Sequence, residues 1–228
     1  MTDDRPKALV DVAGQPLLSH VFDTLPSGVD QYVVVVGYLG DQIREHFGSE
    51  YQNTPITYVE QPSRDGLADA VGRTASVIDD DFVQLNGDNV LHANVAETVH
   101  THRKRDADAT LLVERVSRER AKRGGVLTLE NGTPTGVVEK PIDPPSRLAV
   151  TGCFAFSPRI FDAIAAIQPA ERGEYELSDA VTYLFENGGR LETVHLDGWR
   201  VNVNTEADVA RAERRLADAA ERRDGAAL

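Results

Sequence analysis

The stretch Tyr32-Val33-Val34-Val35-Val36-Gly37 is the strongest fold signal in this sequence of 228 residues. Five consecutive residues of high strand propensity, ended by a glycine, predict a strand that is buried on both faces. A helix predicted at 41–47 and a strand predicted at 56–59 follow it directly. This alternation predicts an α/β fold, with a mixed, mostly parallel central sheet and helices on both of its faces.

The alternation of strands and helices continues through the rest of the chain. Further strands are predicted at 82–85, 110–116, 149–156 and 191–196. Further helices are predicted at 65–78, 95–105, 158–167 and 177–186. Segments 125–129 and 136–139 flank Asn131-Gly132, which predicts a hairpin, and Thr205-Glu206-Ala207-Asp208 is a capping box that opens a last helix. Because no repeat or linker interrupts the pattern, residues 1–228 are predicted to form a single domain.

The composition limits the classes of partner and the compartment. A formal charge of −13 repels nucleic acid and anionic membranes, so neither is an expected partner. The sequence contains neither an apolar stretch of membrane-spanning length nor a signal-peptide pattern after Met1, which predicts a cytoplasmic protein. The single Cys153 excludes an internal disulfide and a thiolate metal site. Only four of the 24 basic residues are lysines, and an acidic, arginine-rich surface is typical of adaptation to high salt.

Four short segments carry the functional signal because of their order and their positions at strand ends. They are Arg5-Pro6-Lys7-Ala8-Leu9, the stretch from Glu60 to Ala70, Asn86-Gly87-Asp88-Asn89, and Val138-Glu139-Lys140-Pro141. Together they resemble the sugar-1-phosphate nucleotidyltransferases, especially the glucose-1-phosphate thymidylyltransferase type. The resemblance runs from Met1 to about Arg215, and it implies the family's Rossmann-like (GT-A-like) fold. It also implies a reaction in which a nucleoside triphosphate and a sugar 1-phosphate give a nucleotide sugar and pyrophosphate.

Asp88 is the expected metal ligand. It follows a predicted buried strand, at the edge where open parallel sheets bind ligands, and a lone carboxylate there suits Mg²⁺. The resemblance makes Asp88 the main Mg²⁺ ligand; the alternative is that it only caps the next helix. The family's second metal-binding aspartate is replaced here by Asn202, so the second ligand is either Asn202 or Asn204.

The resemblance also implies roles for two lysines. Lys7 matches the family's lysine that contacts the nucleotide phosphates, and Lys140 matches the lysine that contacts the sugar phosphate. With Asp88, they are the expected catalytic residues. A compact ammonium group suits a point contact with phosphate. The alternative is that both are ordinary surface lysines.

The remaining site residues are expected to recognise the base and the sugar. Gln61 and Gly66 match the pair that reads a thymine or uracil base, and Gly87 is expected to lie beside the nucleotide. The alternative for Gly66 is a turn that opens a helix. Glu139 matches the carboxylate that binds sugar hydroxyls. The other expected sugar-phosphate residues are Gly125, Thr151, Gly152 and Glu174.

The sequence departs from the family pattern at its start. Members of the family open with an apolar strand and a glycine-rich phosphate-binding loop before the segment that resembles Arg5-Pro6-Lys7. Here Met1 stands immediately before that segment. Because a central strand contributes much of a domain's stability, we expect the true start about twenty residues upstream. The alternative is a shortened, inactive homologue.

Three functions are therefore open at this stage. The first is nucleotidyl transfer, with dTTP and then UTP as the favoured nucleotide and glucose 1-phosphate as the favoured sugar. The second is a glycosyltransferase, but Asn86-Gly87-Asp88 departs from the Asp-x-Asp pair that such enzymes carry. The third is a non-catalytic or regulatory homologue that only binds nucleotide or sugar phosphate. Relatives are commonly dimers or tetramers, so a homo-oligomer is one expectation from the resemblance, but the sequence does not fix the oligomeric state.

Overall fold

The computed structural model describes residues 4–226, with side chains described for residues 4–222. Its strands are β1 (Asp11–Val12), β2 (Gln15–Pro16), β3 (Tyr32–Val36), β4 (Glu50–Tyr51), β5 (Thr54–Glu60), β6 (Phe82–Leu85), β7 (Asn89–His92), β8 (Ala109–Arg115), β9 (Gly125–Glu130), β10 (Thr133–Glu139), β11 (Leu148–Phe156), β12 (Leu191–His195) and β13 (Trp199–Asn202). Its helices are α1 (Leu17–Thr24), α2 (Gly40–Phe47), α3 (Leu67–Gly72), α4 (Val95–Arg105), α5 (Arg118–Ala121), α6 (Arg159–Ala166), α7 (Leu177–Glu186) and α8 (Glu206–Ala226).

Strand β11 organises the largest sheet. It pairs antiparallel with β6, β8 and β9; β10 continues the sheet beyond β9, and β12 lies parallel to β8. The pairing of β11 with β8 shifts register between Val150 and Phe154, around Gly152, whose φ is +80°. Because a glycine adopts this conformation without steric cost, β11 can bend there, and its two halves can pair with different strands.

Helices cover both faces of this sheet. Leu111, Val113 and Phe154 belong to a core cluster that includes residues of α3, α6 and α7. The alternate residues Leu112 and Cys153 belong to a second cluster, with Val95 of α4. Burial raises the pKa of the Cys153 thiol to about 12, so this side chain stays neutral and acts as a packing residue.

A smaller sheet carries the β-branched run. Strand β3 pairs parallel with β5, which pairs antiparallel with β4, and α1 and α2 pack against them. A cavity of about 1190 Å³ lies between β3 and β6. Apolar side chains such as Val33 and Leu85 line it, and it reaches Lys7 and Asp88 at one end.

The sequence predicted most of these elements correctly. Strand β3 and helices α4 and α7 lie at the predicted residues, and the Asn131-Gly132 hairpin joins β9 to β10. The capping box is confirmed by the hydrogen bond of 3.2 Å that the Asp208 N–H donates to Thr205 Oγ1. The helix predicted at 65–78 is shorter: α3 begins at Leu67 and gives way to a 3₁₀ turn at Arg73–Ser76.

The predicted α/β architecture is confirmed, but the prediction of a mostly parallel central sheet is wrong, because most strand pairs in residues 4–226 are antiparallel. Parallel pairing in residues 4–226 is confined to β3 with β5 and β8 with β12. The β9–β10 hairpin and the multiple pairings of β11 bring in the antiparallel neighbours, and neither the register nor the partner of β11 follows from its own residues. In the described part of the chain, no helix combines the length and hydropathy that a bilayer crossing requires.

Gly66 joins the start of α3 to the segment before α7. The Tyr175 N–H donates to Asp65 O at 2.7 Å, and the Ala68 N–H donates to Tyr175 O at 3.0 Å. Gly66 has a φ of +104°, and a Cβ atom added there would lie 2.5 Å from the Tyr175 carbonyl oxygen. Gly66 is therefore required both for its backbone conformation and for this close approach.

We predict that Gly66→Ala lowers the free energy of unfolding by about 2–4 kcal/mol, since strain at positive φ adds to a backbone clash. Gly132→Ala is the matched control, because Gly132 has a φ of +83° but no atom within 4 Å of an added Cβ. That control is expected to lose about 1 kcal/mol. Urea denaturation of both variants measures the difference, and equal losses would contradict the role assigned to the Tyr175 contact.

Candidate active site

Asp88 lies in a tight turn between two strands of different sheets. Strand β6 ends at Leu85 and β7 begins at Asn89, so residues 86–88 connect them. The Asn86 N–H donates to Gly152 O at 2.9 Å, which fixes the turn to β11. The Val203 N–H donates to Asp88 O at 2.8 Å and ties the segment after β13 to the same turn. Asp88 follows a strand as predicted, but β6 is half-buried and pairs antiparallel with β11, so the predicted edge of a parallel sheet is wrong.

Lys7 joins this turn to the segment that precedes α8. Its Nζ atom donates to Asp88 Oδ2 at 2.8 Å and to Asn204 Oδ1 at 2.7 Å. The three residues come from distant parts of the sequence, yet one ammonium group contacts the other two. About a third of each charged side chain is exposed, 33% for Lys7 and 30% for Asp88, so the group is open to a ligand. The structure thus brings together three residues selected from the sequence, whose roles remain predictions.

The oxygen atoms around Asp88 are suitable for a divalent cation. Asp88 Oδ1 is buried and has no hydrogen-bond partner among the described residues. Asn202 Oδ1 accepts a hydrogen bond from Asn204 Nδ2, and Asn202 lies opposite Asn89 in the β13–β7 ladder. Carboxylate and amide oxygens are ligands that Mg²⁺ accepts, and it needs only one or two protein carboxylates when phosphates and waters complete its shell. Among the side chains of residues 4–222, no set of three His, Cys, Asp or Glu residues forms a larger metal site.

Gln61 follows β5 and lines the same cavity as Lys7 and Asp88. Its backbone N–H donates to Val36 O at 2.8 Å, which places it at the end of the β3–β5 pair. Its Nε2 atom donates to Gly66 O at 3.0 Å and to Asp69 Oδ2 at 2.8 Å. Gly87 lines the cavity too, and a Cβ atom added there would meet nothing within 4 Å.

Glu139 and Lys140 lie at the end of β10. Lys140 Nζ is 3.5 Å from Glu139 Oε1, and Glu139 lies opposite Gly125 in the β9–β10 ladder. Lys140 has a φ of +44°, a left-handed conformation that is uncommon outside glycine and that costs roughly 1–3 kcal/mol. Burial raises the pKa of Glu139, Lys140 opposes that rise, and the negative charge of Glu176 adds to it. The carboxyl is therefore held in surroundings that disfavour its charge.

Thr151 and Gly152 lie on β11, beside the turn that carries Asp88. Thr151 Oγ1 donates to Leu112 O at 2.9 Å and is buried, so its side chain is engaged within the sheet. Its carbonyl oxygen accepts a hydrogen bond of 3.0 Å from Asn89 Nδ2. A Cβ atom added at Gly152 would lie 2.6 Å from Asn86 Nδ2. The Thr151 hydroxyl and both carbonyl oxygens are engaged within the protein, so the sugar contact expected of this segment stays a prediction.

The segment before α7 contains a carboxylate that sequence reasoning missed. The Glu174 side chain is exposed. Glu176 is only 14% exposed, pairs with Arg172 at 2.7 Å, and is the acidic residue of this segment whose charge acts on Glu139. Asp69 was also missed, although it contacts Gln61 directly. Its four-residue spacing from Arg73, typical of a helical ion pair, was the signal that could have drawn attention to it.

Comparison with known proteins identifies the family of the chain. Residues 1–209 match the family model described as nucleotidyl transferase. The chain is 43% identical over 218 residues to the UTP–glucose-1-phosphate uridylyltransferase AglF of Haloferax volcanii, covering 95% of this chain and 90% of that protein. It is 32% identical over 227 residues to a glucose-1-phosphate thymidylyltransferase of Streptomyces griseus, covering 98% of this chain but only 63% of the relative.

Solved structures show the same fold. One described as a glucose-1-phosphate thymidylyltransferase from Bacillus anthracis, in complex with a sucrose, has a TM-score of 0.81 and 26% identity, covering 91% of this chain and 85% of that one. A UDP-glucose pyrophosphorylase complexed with UDP-glucose has a TM-score of 0.80 at 20% identity, covering 93% and 90%. The match across most of the chain, together with the relatives above 30% identity, establishes the family. The chain belongs to the nucleotidyl transferase family.

Proposed function

We propose that this chain transfers a nucleotidyl group from UTP to glucose 1-phosphate and releases pyrophosphate. The observation that carries the proposal is the contact of Lys7 with Asp88 and Asn204, beside the unpartnered Asp88 Oδ1. UTP is preferred to dTTP because AglF, the 43% identical relative, is named for UTP. Because another relative is named a thymidylyltransferase, dTTP is the second nucleotide to test.

The reaction requires positive charge at one place. An oxygen of the sugar phosphate attacks the α-phosphate of the nucleotide while pyrophosphate departs, so two anions must approach each other. In a chain with a formal charge of −13, only local cations can offset this repulsion. Lys7 is held at the reacting end of the cavity by Asp88 and Asn204, and in this proposal its ammonium group contacts the α-phosphate.

Asp88 and one of Asn202 and Asn204 would hold Mg²⁺. When bound, the ion neutralises charge on the triphosphate oxygens. Asn204 is favoured over Asn202 as the second protein ligand, because it already shares the Lys7 ammonium group with Asp88. Asn202 accepts a hydrogen bond from Asn204, so its role is to orient that amide.

The β10 end would hold the sugar phosphate. In this proposal Lys140 contacts the phosphate and Glu139 accepts hydrogen bonds from sugar hydroxyls, which is supported by their lying side by side, 3.5 Å apart. Gly125 leaves room beside Glu139, since a Cβ atom added there would lie 3.2 Å from Glu139 Oε2. Glu176, and not the exposed Glu174, supplies the second carboxylate of this region.

We predict that Asp88→Asn lowers pyrophosphate release at least 100-fold, because it removes the one carboxylate at the metal position. The assay contains glucose 1-phosphate, Mg²⁺ and either UTP or dTTP, at high potassium chloride. Asp162→Asn, an equal change of charge at an exposed position on α6, is the control and should keep full activity. A folded parent chain that binds nucleotide but releases no pyrophosphate would contradict the proposal and favour a binding-only homologue.

We predict that Glu139→Gln separates function from stability. The KM for glucose 1-phosphate should rise about tenfold, because a charged acceptor is lost from the sugar site. The melting temperature at pH 7.5 should equal or exceed that of the parent chain. Because burial raises the pKa of Glu139 in the folded state, its ionised form destabilises the fold above that pKa, and this penalty disappears as pH falls below the unfolded pKa.

Thermal unfolding at pH 7.5 and pH 4 checks the direction of this pH effect on stability. Any stability advantage of Glu139→Gln should therefore shrink at the lower pH. A variant that melts well below the parent chain at pH 7.5 would show that the Glu139 carboxylate is needed for the fold.

A further inference from the structure

The side chain of Gln61 is held by two acceptors that fix the orientation of its amide. Nε2 donates to the carbonyl oxygen of Gly66 at 3.0 Å and to the Asp69 carboxylate at 2.8 Å. A carbonyl and an ionised carboxylate have no hydrogen to donate, so the nitrogen of Gln61 must face them. Both amide hydrogens are thereby used, and only the oxygen Oε1 is left for a ligand.

Asp69 is kept as an acceptor by Arg73. Arg73 Nε donates to Asp69 Oδ2 at 2.8 Å, the same oxygen that Gln61 contacts. Burial by itself raises the pKa of Asp69, but the hydrogen bonds from Arg73 and Gln61 and the charge of Arg73 outweigh it, so the pKa lies below its usual value. The carboxylate is consequently ionised at neutral pH. Among residues 4–222, no group donates a hydrogen bond to Gln61 Oε1, so that oxygen is available.

We propose that Asp69 is a positioning residue that restricts Gln61 to accepting a hydrogen bond, and so makes the site selective for uracil or thymine over cytosine. The inference rests on the proposed function, in which Gln61 contacts the base. The imide nitrogen N3 of uracil and thymine carries a hydrogen, which Gln61 Oε1 accepts. The N3 atom of cytosine is a bare acceptor and would face the same oxygen with no hydrogen between them.

The location of Asp69 supports a positioning role. It lies on α3, in the first turn after Gly66, and its contacts connect the loop that carries Gln61 to the helix. Its side chain is 20% exposed, so the hydrogen bond to Gln61 is largely shielded from water. Without the carboxylate, the Gln61 amide can rotate and present either its oxygen or its nitrogen. The site then loses its means of rejecting a base that presents an acceptor.

Equilibrium binding tests the inference without turnover. Isothermal titration with Mg²⁺ and no sugar phosphate compares UTP, CTP and N3-methyl-UTP, in which a methyl group replaces the N3 hydrogen. The parent chain should bind UTP at least tenfold more tightly than either of the others. Asp69→Leu should reduce the preference for UTP over CTP about tenfold. The isosteric Asp69→Asn serves in case the first variant does not fold, and the same reduction is expected. Asp162→Asn should leave the preference unchanged.

Steady-state kinetics distinguish a positioning role of Asp69 from a catalytic role. In pyrophosphate release, Asp69→Asn should raise the KM for UTP with little change in kcat, because Asp69 does not contact the reacting phosphates. Asp69 variants that keep the parent's UTP preference would overturn the inference, as would a parent chain that binds CTP as tightly as UTP or binds no nucleotide. Selective UTP binding without pyrophosphate release would instead contradict the proposed function and leave the role of Asp69 standing.

Discussion

The contact of the Lys7 ammonium group with Asp88 and Asn204 is the interaction on which the rest of the site depends. It joins the N-terminal 3₁₀ turn, the β6–β7 turn and the segment before α8. Because these groups are about one-third exposed, the ion pair contributes little to stability, about 0–1 kcal/mol. In the proposed reaction, its effect would be to hold a cation in place before the phosphate binds, so that little reorganisation is needed.

The two ends of the site are connected through β11. Gly152 packs against the turn that carries Asp88, and Val150 packs against Gly125, which lies opposite Glu139. One bent strand therefore connects the turn that carries Asp88 to the end of β10 that carries Glu139. The left-handed backbone of Lys140 and the raised pKa of Glu139 are both unfavourable for the folded state, and such features are common where side chains face a ligand.

The sequence predicted the parts of the fold that depend on local patterns. The β-branched run of β3, the Asn131-Gly132 hairpin and the capping box at Thr205 all lie where their residues indicated. It did not predict that β11 pairs with three strands, because pairing between distant strands depends on register and burial, which no single segment encodes. The excess of antiparallel pairing follows from the same cause.

Among the site residues too, those marked by a local motif could be predicted, and those defined by a long-range contact could not. Asp88 and Lys7 were recognised from motifs at strand ends, and the structure places them in contact. The choice between Glu174 and Glu176 could not be made from sequence, because it depends on which of two alternate side chains turns towards Glu139. Asp69 was missed since its importance lies in its contact with Gln61, eight residues away, across a turn and the start of a helix.

The central claim is that Lys7 and Asp88 face the reacting phosphate together. The most direct measurement is a crystal structure of the chain with UTP and Mn²⁺, with the ion located by its anomalous scattering. We expect an anomalous peak that marks an ion coordinated by Asp88 Oδ1 and by an oxygen of the α-phosphate. Lys7 Nζ should lie within hydrogen-bond distance of that phosphate. A triphosphate bound elsewhere, or an ion coordinated without Asp88, would contradict it.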